Sequence, residues 1–175
     1  NSSKKLLTVG NGLSTVNKLS MEKFTFFWET RSPFSQWHPS DFTLEGIDFN
    51  CAEQYMMYKK AMLFNDDQIA EQILLTKKPR DQKALGRKVR NFDADTWNKH
   101  CKQIVYEANA AKFTQNDTLK DALLATAGTT LVEASPYDKI WGIGLTADQP
   151  EAQDRSTWQG TNWLGEILTE LRENI

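Results

Sequence analysis

The chain is poor in the residues from which most small metal and nucleophile sites are built. It has 2 histidines and 2 cysteines, Cys51 and Cys101, among 175 residues. The cysteines do not stand at metal-ligand spacing, and His100 has no Cys, Asp or Glu at such spacing. No metal or other cofactor is therefore expected. Each cysteine falls in a predicted helix, so buried free thiols in a reducing compartment are the plain reading, which points to the cytoplasm or another intracellular compartment. No stretch approaches the ~20 apolar residues of a membrane helix. Leu6 to Val9 is too short for the core of a signal peptide. Neither sign of charge dominates, with 21 basic against 23 acidic residues and a formal net charge of -2. That balance argues against non-specific nucleic-acid binding as the main task, while leaving room for a local basic patch. Repeats, low-complexity tracts, a phosphate-cradling glycine loop, a Ser-His-Asp or Cys-His order and a paired-cysteine motif are all missing.

What remains suits one domain with a real core, expected to be a monomer. Residues 1–20 are rich in Ser, Asn, Gly and Lys without a sustained period, and read as a flexible tail or linker. Met21 is either an original start or internal to a longer protein. Residues 21–175 carry the fold. Phe24 to Trp28 is strand-like, and Phe42 to Phe49 alternates into a hairpin with its turn at Glu45-Gly46. Two or three short strands are all this region supports, with Leu131-Val132 as another strand further on. Helices are predicted from Cys51 to about Phe64, Asp67 to Leu75, Asp81 to Val89, Asp93 to Phe113, Asp117 to Leu124 and Trp163 to about Glu173. The fold class is α+β and predominantly helical, with a small sheet.

The first helix holds the central ambiguity. Glu53 and Lys60 are seven residues apart, two turns, so they share a face. Met56 and Met57 lie between them, with Tyr58 at the edge. One reading makes Asn50 the N-cap, Glu53 its capping-box partner and Lys60 half of an ion pair. The other makes this face the floor of a catalytic pocket. The stretch Thr76 to Asn91 gathers Lys77, Lys78, Arg80, Lys83, Arg87, Lys88 and Arg90 around Gly86. It lacks the interleaved aromatics of a nucleic-acid track. It suits a wall for a phosphate or diphosphate better, with a solvated helix face as the simpler option. Trp97 is assigned to the core stripe of the long helix. Between Thr130 and Leu145, Glu133, Tyr137, Asp138 and Trp141 crowd around Pro136, Gly142 and Gly144, a loop of the kind that carries chemistry. Asn162 reads as the cap of the last helix. Gly165 in its first turn permits a close backbone or ligand approach.

The segments SPFSQWHPSDF, AEQYMMYKKA, ALGRKV, LLATAGTTLVEASPYDKIWGIGL and WQGTNWLGEILTELR resemble, in this order, the NADAR or YbiA-like family. The match covers about Phe24 to Ile175. The resemblance implies a mostly helical domain with a small sheet and cleavage of a C–N bond at an anomeric carbon. The substrates it implies are ribosylamino pyrimidine phosphates of riboflavin biosynthesis, or guanine bases of nucleic acid carrying ADP-ribose. By position, Glu53 and Lys60 match the family's helix acid and lysine. Glu133, Asp138, Trp141 and Gly142 match its loop, Asn162 and Gly165 the opening of the last helix, and Arg31 and Gly86-Arg87 two further blocks.

The expected catalytic set is then Glu53, Lys60, Asp138 and Glu133. Lys60 would be a Schiff-base nucleophile, Glu53 the proton-transfer group, and Glu53 with Asp138 or Glu133 a pair of carboxylates. Trp141, Tyr137 and Trp37 would stack on the base, with Tyr58 beside Lys60. Asn162 would bind ribose hydroxyls or the base edge, and Arg31, Lys83, Gly86, Arg87 and Gly142 would complete the substrate site. The residues alone leave three classes open: a metal-independent glycoside or nucleotide hydrolase, a non-catalytic ADP-ribose or nucleotide-binding module, and a structural helical domain.

Overall fold

The computed structural model describes residues 22–175, so the expectations for residues 1–20 and Met21 lie outside the described residues. The strands are β1 (Phe24–Phe27), β2 (Phe42–Leu44), β3 (Ile47–Phe49) and β4 (Thr130–Glu133). The helices are α1 (Ala52–Leu63), α2 (Asp67–Leu75), α3 (Pro79–Gly86), α4 (Ala94–Thr114), α5 (Asp117–Leu124) and α6 (Trp163–Asn174). Two short 3-10 turns, Pro150–Gln153 and Arg155–Thr157, lead into α6.

The strands form two separate two-stranded sheets. β2 and β3 are the expected hairpin, with Phe42 opposite Phe49. Its turn residues Glu45 and Gly46 both have positive φ, 53° and 77°, the geometry of a tight two-residue hairpin turn. β1 instead pairs in parallel with the distant β4, Phe24 opposite Thr130 and Phe27 opposite Glu133. Five helices lie between them in the chain. A parallel pair requires such a long crossover, which is why neighbouring residues could not reveal it.

α1 is the hub. It packs against α2, α3 and α4, while α6 covers β4. The core combines Tyr55, Met56, Met57 and Ala61 of α1 with Phe42 and Phe49, Ile73, Val105, Phe113, Leu131 and Leu164, Leu168 and Leu171. Pro79 opens α3, where its missing N–H costs nothing, so this helix begins two residues earlier than expected and ends three earlier. Asp93 caps α4, its carboxylate accepting from the Thr96 amide at 2.9 Å. Both cysteines are buried free thiols, though Cys51 sits at the N-cap of α1 rather than inside it.

Candidate active site

Several segments converge on one cavity of about 770 Å³. β1 and β4 run parallel and end side by side. Trp28, Glu29 and Thr30 leave the end of one, and Glu133 and Ser135 the end of the other, all into the cavity. Open parallel sheets commonly bind ligands beyond their carboxyl ends. α1 supplies the floor with Glu53, Met56, Met57 and Lys60; α3 and the turn after it add Lys83 and Arg87. Ser35, Gln36, Trp37, Trp97, Tyr137, Asp138 and Trp141 complete the lining.

Glu53 is not the capping residue. Cys51 occupies the N-cap without a side-chain cap bond, and Gln54 reaches back to accept from the Asn50 amide at 2.8 Å. Asn50 donates to Lys77 O and receives from Gln82 instead. The Glu53 carboxyl is thus released from capping and stands buried at the cavity floor. Burial pushes it up to about 7, against the pull of Lys83 and Lys60; nearby Asp138 adds to the rise. Burial likewise drives Glu133 up to about 8, reinforced by Asp138 and Glu53. Its Oε2 is buried and has no hydrogen-bond partner. Asp138 holds its own loop, with Oδ1 accepting from the Ile140 and Trp141 amides at 2.9 Å each.

Lys60 is half-buried, with Nζ 4.7 Å from the centre of the Phe92 ring and 5.8 Å from that of Trp97. Burial lowers its pKa; Glu53 opposes this and Arg87 adds to it. The expected neighbour Tyr58 is elsewhere: it does not line the cavity and packs on Phe49, ring centres 5.6 Å apart. It is five residues from Glu53, which turns it well away from the acid's face.

The expected binding residues divide into two groups. Trp37, Lys83, Arg87, Tyr137 and Trp141 line the cavity. Lys83 Nζ stands 5.9 Å from the centre of the Trp37 ring. Tyr137 is 85 % exposed and leans on Trp28 at the rim, ring centres 5.8 Å apart. Trp141 packs edge-on against Trp163 at 5.6 Å. Arg31, Gly86, Gly142 and Asn162 do not line the cavity. The Arg31 side chain is exposed, pairs with Glu29 at 2.7 Å and borders a neighbouring, smaller cavity. Gly86 lets α3 lie against Met57, where a Cβ would collide.

Gly142 and Asn162 hold the wall that carries Glu133 and Asp138. A Cβ on Gly142 would stand 2.8 Å from the Glu133 carbonyl oxygen and 3.0 Å from that of Asp138. Asn162 is fully buried with φ 53°, accepts from the Glu133 amide at 2.9 Å and donates to Leu131 O at 3.0 Å. It sits at the N-cap of α6 but spends its side chain on β4. Gly165 lets α6 approach, because a Cβ there would collide with the Leu131 carbonyl. Sequence reasoning missed Trp28, Glu29, Thr30, Ser35, Gln36 and Ser135; Trp97 packs against the core as expected and lines the cavity as well. The aromatic run ending in Trp28, followed at once by polar residues, was the available signal.

A family model described as the NADAR domain matches residues 26–175, a span that includes every residue lining the cavity. The chain belongs to the NADAR family. It is 40% identical over 168 residues to Protein irg-1 of Caenorhabditis elegans, covering 87% of this chain and 79% of that one. It is 48% identical over 145 residues to N-glycosidase R617 of Acanthamoeba polyphaga mimivirus, covering 80% and 85%. Among solved structures it resembles the NMR structure of the Escherichia coli protein YbiA, with a TM-score of 0.72, 28% identity and coverage of 87% and 84%. The fold described above is thus the YbiA-like fold. Among the described residues, no group of three or more His, Cys, Asp and Glu is arranged to hold a metal ion, and no helix is long and apolar enough to cross a membrane.

Proposed function

We propose that this NADAR domain is an N-glycosidase that hydrolyses the bond between the anomeric carbon of a ribose phosphate and a base nitrogen. One observation carries the reading: a single cavity joins two carboxyls held protonated up to about 7 and about 8 with a half-buried amine whose pKa is lowered. Acids and bases near neutrality are what proton transfer to a leaving nitrogen requires. The two glutamates influence each other, so they titrate as a pair.

The chemistry follows from those groups. Ring opening breaks the bond from C1 to the ribose ring oxygen, moves the proton of the linking N–H to that oxygen and leaves an imine between C1 and the base. Glu53, ionised, takes a proton from Lys60. The Lys60 Nζ adds at C1, the bond from C1 to the base breaks, and the base nitrogen leaves with a proton from Glu133. Water then adds to the Lys60 Schiff base, the C1–Nζ bond breaks and the sugar departs as an aldehyde. Asp138 is the second carboxylate beside Glu133, facing the positive charge that grows at C1. Lys83 and Arg87 hold the phosphate or diphosphate.

The preferred substrate is a guanine base in nucleic acid that carries ADP-ribose. Supporting this are the aromatics that other elements bring beside the cations: Trp37 under Lys83, Phe92 and Trp97 under Lys60, and Trp163 under Lys102 at 4.0 Å. Stacking surfaces interleaved with positive charge suit a single strand. Trp28 and Tyr137 extend that surface at the rim. The test sets an oligonucleotide with ADP-ribosylated guanine beside a ribosylamino pyrimidine phosphate. Faster release of ADP-ribose from the oligonucleotide is expected. Preference for the pyrimidine would move the substrate to riboflavin intermediates, and binding of ADP-ribose without release from either would leave a non-catalytic module.

A further inference from the structure

Behind the cavity wall lies a buried amine that the reaction above does not use. Lys112 of α4 is fully buried, and its Nζ donates to the Ser35 carbonyl at 3.0 Å. One turn earlier on the same helix, Asn109 is also fully buried and donates to the Gln36 side-chain oxygen at 2.9 Å and to Val105 O at 2.8 Å. Next in the chain, Phe113 stacks on Phe34, ring centres 6.4 Å apart. Three successive wall residues, Phe34, Ser35 and Gln36, are therefore each anchored from α4.

The anchoring reaches the chemistry through one bond. The Gln36 carbonyl accepts from the Glu53 amide at 3.0 Å. That amide is one of the orphan donors at the start of α1, where Cys51 provides no side-chain cap. The wall thus does for α1 what a capping side chain does elsewhere. An amine deep in the protein is a costly way to hold a loop, and burial pulls its pKa down to about 7. The Ser35 carbonyl would not be orphaned without it, since the His38 amide also donates there at 3.2 Å. Fold stability alone does not account for Lys112.

We propose that Lys112 and Asn109 are positioning residues: they hold Ser35 and Gln36 from behind so that the Gln36 carbonyl fixes the first turn of α1 and, with it, the Glu53 carboxyl. Neither touches the substrate. The kinetic arm of the test rests on the N-glycosidase reading, and the exchange arm needs no substrate.

The decisive variant is Lys112→Met, which keeps the volume and removes the donor. Its melting temperature should equal or exceed that of the wild type, because a buried amine without a carboxylate partner is replaced by an apolar chain. Exchange of the Glu53 amide hydrogen should quicken about 10-fold or more, while amides in the middle of α4 keep their protection. With substrate, kcat should fall about 10-fold and KM stay within about threefold. Lys112→Ala should show the same exchange defect, and n-propylammonium should reverse it by refilling the space and donating to Ser35. Unchanged Glu53 protection overturns the proposal, as does a joint fall of melting temperature and kcat, or failure of the amine to restore the alanine variant. If the wild type releases no sugar, the N-glycosidase reading fails and the exchange result alone decides the positioning role.

Discussion

The cavity has two walls, and they are built by different means. The wall from Glu133 to Leu145 is held largely by backbone, with the Asn162 and Asp138 side chains bracing it from within. The Ile143 amide donates to Glu133 O at 2.9 Å, the Gly144 amide to Asp138 O at 3.2 Å and the Asn162 amide to Gly142 O at 3.0 Å. Close packing at Gly142 and Gly165 leaves it no slack. The wall from Trp28 to Trp37 makes short local turns and is held by side chains reaching from α4. The first wall carries Glu133 and Asp138, the second Trp28, Gln36 and Trp37.

The difference can be probed from each side. On the catalytic wall, Glu133→Gln should lower kcat about 100-fold or more, the usual range for a lost general acid, with KM little changed. Wild-type activity should fall as pH rises through about 8, where Glu133 loses its proton, and the variant should lack that limb. Stability carries the same signature. The folded pKa is raised from 4.5 to about 8, so the folded state holds the proton more tightly than the unfolded chain. Stability contributed by the protonated form is complete below 4.5, declines as pH rises toward about 8, and is flat above. At pH ~9 Glu133→Gln should therefore be the more stable protein. A melting curve at two pH values checks this without substrate.

Gly165→Ala attacks the same wall through packing. Its new methyl group meets the Leu131 carbonyl, which β4 cannot move cheaply, so destabilisation of about 2 kcal/mol or more is expected in chemical denaturation. On the recognition wall, Trp37→Ala should raise KM about 10-fold and leave kcat within about threefold, the loss of one stacked base. If Trp37→Ala instead lowers kcat alone, the division of labour between the walls is wrong. Arg31→Ala should change neither constant by more than about twofold, since its side chain is exposed, does not line the cavity and meets only the rim residue Glu29.

The two walls also differ in how far the sequence disclosed them. Glycines and asparagines mark places where backbone meets backbone, so the Glu133–Gly144 loop and the close approach at Gly165 were legible before any coordinates. Periodicity gave the helices, with α2 and α5 matching residue for residue. The β2–β3 hairpin followed from Glu45-Gly46. The pairing of β1 with β4 was not legible, because a parallel contact across more than 100 residues leaves no local pattern. Nor were the tethers of the second wall. Lys112 reads as the polar end of the long helix's core stripe, and that inward position holds, but its partner, the Ser35 carbonyl, leaves no mark in the sequence. Tyr58 and Asn162 show the opposite error. Both have the chemistry for a site, and the geometry assigns one to packing on Phe49 and the other to holding β4.

Lys60 is the residue on which the proposed reaction turns. Borohydride added during turnover should trap a reduced sugar adduct, and peptide mass mapping should find it on Lys60 and on no other residue. Lys60→Ala should give no adduct and almost no sugar release while folding normally. Full turnover by Lys60→Ala would contradict the account and return the reaction to carboxylate chemistry at Glu53, Glu133 and Asp138.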